Sequence, residues 1–167
     1  MIDIVEVMDS NQIKDTAMLA HSIWNQHYTP IIGKEQVDYM LANFQSEQAI
    51  KEQMDEGYRY FLTYCNGQAV GYFAVQANSK DKSLFLSKFY VAKDFRGQGI
   101  GKQCLSYMED ICRTHGLNRI WLTVNKYNDN SIKAYERFGF KKIEELVQDI
   151  GNGFVMDDYK MEKRLEY

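Results

Sequence analysis

The run Arg96-Gly97-Gln98-Gly99-Ile100-Gly101-Lys102 constrains this chain more than any other segment. Before it, Leu84–Val91 is aromatic and β-prone, which predicts a strand. After it, Ile100, Cys104, Leu105, Met108, Ile111 and Cys112 recur at helical spacing, which predicts a helix over 99–115. Gly116 marks its stop, and Arg113 and His115 fall in the last turn, where the dipole favours cations. A strand, a glycine-rich loop and a helix N-terminus together form an anion cradle. Glycine lets the backbone approach closely, and the first N–H groups of the helix can converge on one oxyanion cluster. Arg96 and Lys102 add positive charge beside it.

Spacing narrows the anion. A Walker loop needs G-x-x-x-x-G-K-[ST], but three residues separate Gly97 from Gly101 and Gln103 follows Lys102. A dinucleotide fingerprint needs G-x-G-x-x-G in a βαβ unit. Here the run is one residue short and follows a meander of strands. A nucleotide-binding protein is therefore argued against. A glycine-rich turn with no ligand stays open on the loop alone.

The 167 residues suit one domain, 1–167, which can bury roughly two-thirds of its unfolded surface. Hydrophobic residues at 45% and charged residues at 26% exclude disorder as the main description. A formal net charge of −3 gives no strong field for nucleic acid. Cys65, Cys104 and Cys112 form no CxxC, and His21, His27 and His115 are scattered, so no metal site is expected. The opening MIDIVEVMDS lacks a basic start and an apolar stretch. No run approaches ~18 apolar residues. A cytoplasmic protein with reduced thiols, away from membranes and nucleic acid, is the expectation.

Elsewhere the pattern predicts a strand over 2–8 and an amphipathic helix over 11–25 carrying Ile13, Ala17, Ala20 and Trp24. Pro30 and Gly33 bracket a break. Val37, Met40, Leu41 and Phe44 mark a helix, and Ser46 caps another that stops at Gly57. Tyr58–Cys65 and Ala69–Val75 form a hairpin around Asn66-Gly67. Arg119–Val124 is a short strand, Asn130–Phe138 a short helix ending at Gly139. Phe140–Ile150 and Phe154–Lys163 are a last hairpin around Gly151-Asn152-Gly153.

The pattern R-x-x-G-x-G, then a strand ending V-N, then N-x-x-S-I-x-A-Y-E-R-F-G-F, resembles the GCN5-related N-acetyltransferase (GNAT) family over residues 83–141. Arg96, Gly99 and Gly101 match its pyrophosphate loop. Asn128, Ser131, Tyr135, Gly139 and Phe140 match its second motif in order and spacing. The resemblance implies an α+β (α/β) fold with a mixed, mostly antiparallel central sheet and helices on both faces, in the order β-α-α-β-β-β-α-β-α-β-β. It implies a splay between the fourth and fifth main strands, where acetyl-CoA binds as cosubstrate. Its pantetheine amides would pair with the backbone of Phe89, Tyr90 and Val91, and Arg96, Gly97, Gln98, Gly99, Ile100, Gly101 and Lys102 would take the pyrophosphate.

Within that resemblance Tyr135 is the expected catalytic residue, a donor to the leaving thiolate. Asn128 either bonds pantetheine or caps its helix, and Ser131 either reaches a phosphate or sits in the first turn. Asn125 reads as a turn residue. Trp24, His27 and Tyr28, with Tyr39 nearby, are the substrate-binding candidates, since aromatic rings can hold a cationic amine. Many relatives place a carboxylate base on the strand equivalent to Leu84–Val91. That stretch holds Ser87 and Lys88 and no acid. His27, Glu56 or a water held by Ser87 and Tyr90 are the alternatives. The function expected is acetyl transfer to a primary amine of a small, polyamine-like molecule or a peptide N-terminus, with a homodimer allowed. A non-catalytic acyl-CoA-binding or regulatory module is the alternative.

Overall fold

The computed structural model describes residues 1–166. Its residues cluster into two compact units, Met1–Gln76 with Lys88–Leu105, and Ala77–Ser87 with Ser106 onward.

The first unit opens with strand β1 (Ile2–Glu6) and helix α1 (Ser10–His27). Asp9 starts α1 with a capping box. Its carboxylate accepts from the Gln12 N–H at 2.8 Å, and Gln12 Oε1 accepts from the Asp9 N–H at 3.1 Å. The stretch written as two helices in the element order, though the residue pattern marked three, contains four helical segments, the fourth being the Pro30 break, itself a helical turn. These are α1, the single turn α2 (Thr29–Ile32), α3 (Lys34–Phe44) and α4 (Glu47–Asp55). Pro30 sits at the start of α2, where its missing N–H costs nothing. Ser46 caps α4 by accepting from the Ala49 N–H at 3.2 Å.

Strands β2 (Arg59–Cys65) and β3 (Gln68–Asn78) pair antiparallel, and β1 pairs with β2. Asn66 and Gly67 both adopt positive φ, 51° and 83°, as a tight hairpin turn requires. Tyr60, Phe61, Leu62, Tyr72 and Phe73 are fully buried, and the Phe61 and Phe73 rings stack at 4.9 Å. Strand β4 (Ser83–Val91) continues the order after β3. Gly71 permits close approach there: a Cβ on it would lie 2.7 Å from the Tyr90 carbonyl oxygen. A short 3₁₀ turn (Lys93–Phe95) leads to α5 (Ile100–His115).

In the second unit β5 (Arg119–Asn125) pairs parallel with β4 over three residues, Ser83–Phe85 against Arg119–Trp121. The Phe85 and Trp121 rings stack at 4.2 Å across that pair. Helix α6 (Asp129–Arg137) follows, then β6 (Lys141–Gly151) and β7 (Phe154–Arg164). The last strand, β7, inserts between β5 and β6 and pairs antiparallel with both. Ile120, Leu122, Val124 and Met161 fill the core of this unit. Strand β6 is largely exposed and carries two bulges, at Lys142/Glu144 and Asp149/Gly151. Hydrogen-bonded neighbours run β1-β2-β3-β4-β5-β7-β6, a mixed α/β sheet that is antiparallel except for the β4–β5 pair.

Candidate active site

The glycine-rich loop lies in the first unit. Arg96 is extended, Gly97 and Gly99 have φ of 76° and 81°, and a Cβ built on either meets nothing within 4 Å. Helix α5 begins at Ile100, and its first turn holds no acidic side chain. Its leading N–H groups thus lack intrahelical acceptors in an exposed, left-handed loop. That is the geometry an anion fits. Ile100 itself is buried at 2% exposure, so it offers only its backbone, whereas Gln98 and Lys102 are exposed. Gln98 Nε2 donates to the Asp94 carbonyl at 3.3 Å. Arg96 Nε donates to the Val91 carbonyl at 2.9 Å, which ties the loop to the end of β4. Partial burial lowers the Arg96 pKa, while Tyr28 opposes that shift.

Arg96 Nη1 also lies 3.5 Å from His27 Nδ1, at the C-terminal end of α1. Around it the rings expected to form an acceptor site gather. Trp24 and Tyr28 stack at 4.3 Å, His27 meets Tyr28 edge-on at 4.7 Å, and Tyr90 lies 5.4 Å from Trp24 and 5.9 Å from Tyr28. Trp24 is 3% exposed, so it is a wall of the cluster, with Tyr28, His27 and Tyr90 half-buried in front. Tyr39 instead pairs with Phe44 at 6.5 Å. Phe89, on the opposite parity of β4, meets Phe73. Glu56 is exposed at the end of α4, and Ser87 is half-buried.

Lys88 is the residue whose placement the sequence conceals. It is 6% exposed, and its ammonium donates to the Phe44 carbonyl, to Gln53 Oε1 at 3.0 Å and to the Tyr60 hydroxyl. Burial pulls its pKa down to about 7 and pushes the Tyr60 hydroxyl well above its ordinary value. The signal was parity: Lys88 shares the inward-facing even positions of β4 with Leu84 and Leu86, both buried.

In the second unit, Tyr135 is half-buried on α6 with its ring 5.5 Å from Phe140. Its carbonyl accepts from Phe140 N–H at 2.9 Å, which closes the helix end at Gly139. Asn128 holds the N-cap position of α6, 2% exposed, but its side chain makes no capping bond. Ser131 is half-buried in the first turn of α6. Asn125 Oδ1 accepts from Tyr127 N–H at 2.9 Å, the local turn bond expected of it. Opposite Asn125, across β5 and β7, stands Asp158, 4% exposed, which sequence periodicity did not single out.

The acetyltransferase (GNAT) family model matches residues 19–140. The chain belongs to that family. A probable spermine N(1)-acetyltransferase of Bacillus subtilis subsp. natto is 30% identical over 70 residues, 41% of this chain and 46% of that protein. An N-alpha-acetyltransferase 50 of Danio rerio is 31% identical over 97 residues, 56% of this chain and 58% of that protein. The chain thus spans about half the length of these curated relatives. The fold matches that of the PaiA N-acetyltransferase from Thermoplasma acidophilum, solved in complex with coenzyme A. Its TM-score is 0.78 at 19% identity, over 98% of this chain and 99% of that one. No helix among the described residues is long and apolar enough to cross a membrane.

Proposed function

We propose that this chain is an acetyl-CoA-dependent N-acetyltransferase. Its acceptor would be a primary amine of a small, polyamine-like molecule or a peptide N-terminus, attacking directly in a ternary complex. The observation that carries this reading is the exposed Gly97–Gly99 loop opening α5, with no acid in the first turn. The family membership and the names of the relatives, one a spermine and one an N-alpha acetyltransferase, support it.

The residues present fit acetyl-CoA, which when bound supplies an acetyl group activated as a thioester. The N–H groups of Gly97–Lys102 and the charges of Arg96 and Lys102 would hold its pyrophosphate. The backbone of Phe89–Val91 would pair with its amides as an added strand, with Asn128 and Ser131 as further contacts. Tyr135 Oη would keep a proton available to the departing sulfur. A free tyrosine near pKa ~10 is a weaker acid than a thiol of pKa ~8.5, so Tyr135 can serve by a hydrogen bond to the developing charge as well as by full transfer. Trp24, His27, Tyr28 and Tyr90 would wall the acceptor side, where ring faces attract an amine's positive charge. We place the enzyme in the cytoplasm, as a monomer or a homodimer.

The test is calorimetry with CoA beside a thiol-release assay over a panel of amines. Gly101→Glu adds a side chain and a negative charge to the first turn of α5 and should abolish CoA binding in a folded protein. Unchanged affinity would overturn the cosubstrate assignment. CoA binding without turnover of any amine would favour an acyl-CoA-binding module.

A further inference from the structure

His27 ends α1, and Arg96 opens the glycine-rich loop. Both belong to the same compact unit. Their side chains meet across 69 residues of sequence, with Arg96 Nη1 3.5 Å from His27 Nδ1, the long limit of a hydrogen bond. An arginine only donates, so this contact is attractive when His27 is neutral and Nδ1 carries no proton. With Nδ1 protonated, the same geometry presses two cations together. Arg96 cannot swing away without cost, because its Nε donates to the Val91 carbonyl at 2.9 Å. These two contacts occupy two of the five guanidinium N–H groups and orient the other three. Gly97 and Gly99, in left-handed conformations, follow directly in the loop that the cosubstrate reading gives to the pyrophosphate.

Other charges on the elements around His27 are distant, paired or exposed. On α1, Asp15 and Lys14 lie roughly 18 Å or more back along the axis, and His21 meets Asn25 at 3.4 Å. Helix α2 carries no charged side chain. On α3, Lys34 pairs with Asp38 at 3.3 Å, and Glu35 is exposed. The charges of α4, Glu47, Lys51, Glu52 and Asp55, are exposed too. On β4, Lys88 is engaged with Gln53 and Tyr60. Beyond β4, Lys93, Asp94 and Lys102 are exposed. The ring against His27 is the neutral phenol of Tyr28, edge-on at 4.7 Å, with Tyr90 5.9 Å behind it. A histidine and an arginine placed this way share a bound anion more readily than they share a proton-free contact.

We propose that His27 and Arg96 form a proton-linked clasp for the cosubstrate's pyrophosphate, an inference that rests on the acetyl-CoA reading above. Without ligand, the neutral imidazole holds Arg96 through Nδ1. When the dianion settles on Arg96, a second positive charge beside it becomes favourable, and Nδ1 of His27 takes a proton from solvent. His27 thereby serves as a positioning residue for the cosubstrate, besides walling the acceptor side. The sign follows from linkage. The bound state holds more protons than the empty one, so affinity falls as pH rises through the range of an imidazole, near 6.5 as a rule. For an exposed pair the change is about 3- to 10-fold.

The test is calorimetry with dephospho-CoA, which keeps the pyrophosphate but lacks the phosphate monoester that itself titrates near pH ~6. Wild type and His27→Gln are titrated from pH 5.5 to 8.5, each in two buffers of unlike ionisation heat. Wild-type affinity should fall about 3- to 10-fold over that range, with uptake of about a quarter to a half of a proton where the fall is steepest. In His27→Gln the affinity should stay level and the uptake vanish. A wild type without uptake, or a variant that keeps it, overturns the inference. The ring-proton resonance of His27 in the wild type supplies a measure that needs no variant. Its titration midpoint should rise by about 0.5–1 pH unit on saturation with dephospho-CoA. An unmoved or lowered midpoint overturns the inference even where His27→Gln does not fold. Binding without proton uptake overturns this inference alone, whereas failure of both CoA and dephospho-CoA to bind at any pH overturns the acetyl-CoA reading and the clasp with it.

Discussion

The ammonium of Lys88 on β4 donates to the phenol of Tyr60 on β2, and both groups are buried. An ammonium held only by neutral acceptors is a liability when charged. Its pKa falls from 10.5 in the unfolded chain to about 7 in the fold. Between those values the unfolded state binds more protons, so stability rises as pH climbs from about 7 toward 10.5 and is flat below. The slope is at most ~1.4 kcal/mol per pH unit. Thermal melts from pH 6 to 9 should show the midpoint climbing above pH 7 in the wild type and less so in Lys88→Met. Parallel curves would show that Lys88 is not the titrating group.

Gly71→Ala puts a methyl 2.7 Å from a backbone carbonyl, which cannot rotate away as a side chain can. We expect a loss of about 1–3 kcal/mol, read as a lower urea midpoint at constant m. Because the obstructed carbonyl belongs to Tyr90, CoA affinity should fall as well. A variant as stable as wild type would mean that β3 and β4 separate easily at this point.

Tyr135→Phe keeps the ring that meets Phe140 and removes only the hydroxyl. Turnover should fall by about 10²-fold or less, with acetyl-CoA affinity nearly unchanged, because the interaction matters only as charge develops. Steady-state kinetics with wild-type kcat would make Tyr135 a packing residue.

Arg96→Gln removes a charge beside the loop and the bond from Nε to the Val91 carbonyl. One charged hydrogen bond is worth about 1.5–3 kcal/mol, so KM for acetyl-CoA should rise roughly 10- to 100-fold. The acceptor's KM should move less. A larger effect on the acceptor would place Arg96, through its contact with His27, on the amine side.

Local chemistry made much of this molecule readable. Glycines after a strand and before an apolar helical stripe announced the loop and α5, and Asn66-Gly67 announced its hairpin. The spacing from Asn128 to Phe140 placed α6 within a residue at each end. What escaped was decided by distant partners. Thr29–Ile32 reads as a break, because one turn is too short to show a period. Lys88 betrays its burial only by parity with Leu84 and Leu86, and its acceptors come from α3, α4 and β2. Asp158 lies in a strand where only it and Met161 are buried, so β7 shows no alternation. Its environment is created by β5 and β6 on either side.

That last strand also sets an order of events. β7 is made after β6 yet lies between β6 and β5, so on a ribosome the edge of β5 away from β4 waits for its partner until residue 164 has emerged. At ~5–20 residues per second, the interval from Asn125 to Arg164 lasts roughly 2–8 s, during which β5 offers an open edge. A nascent chain interrupted before β7 would carry β6 unpaired and β5 paired on one side only, with β4. The strand that completes the sheet is therefore the last one made, and until it arrives nothing ties β6 to β5.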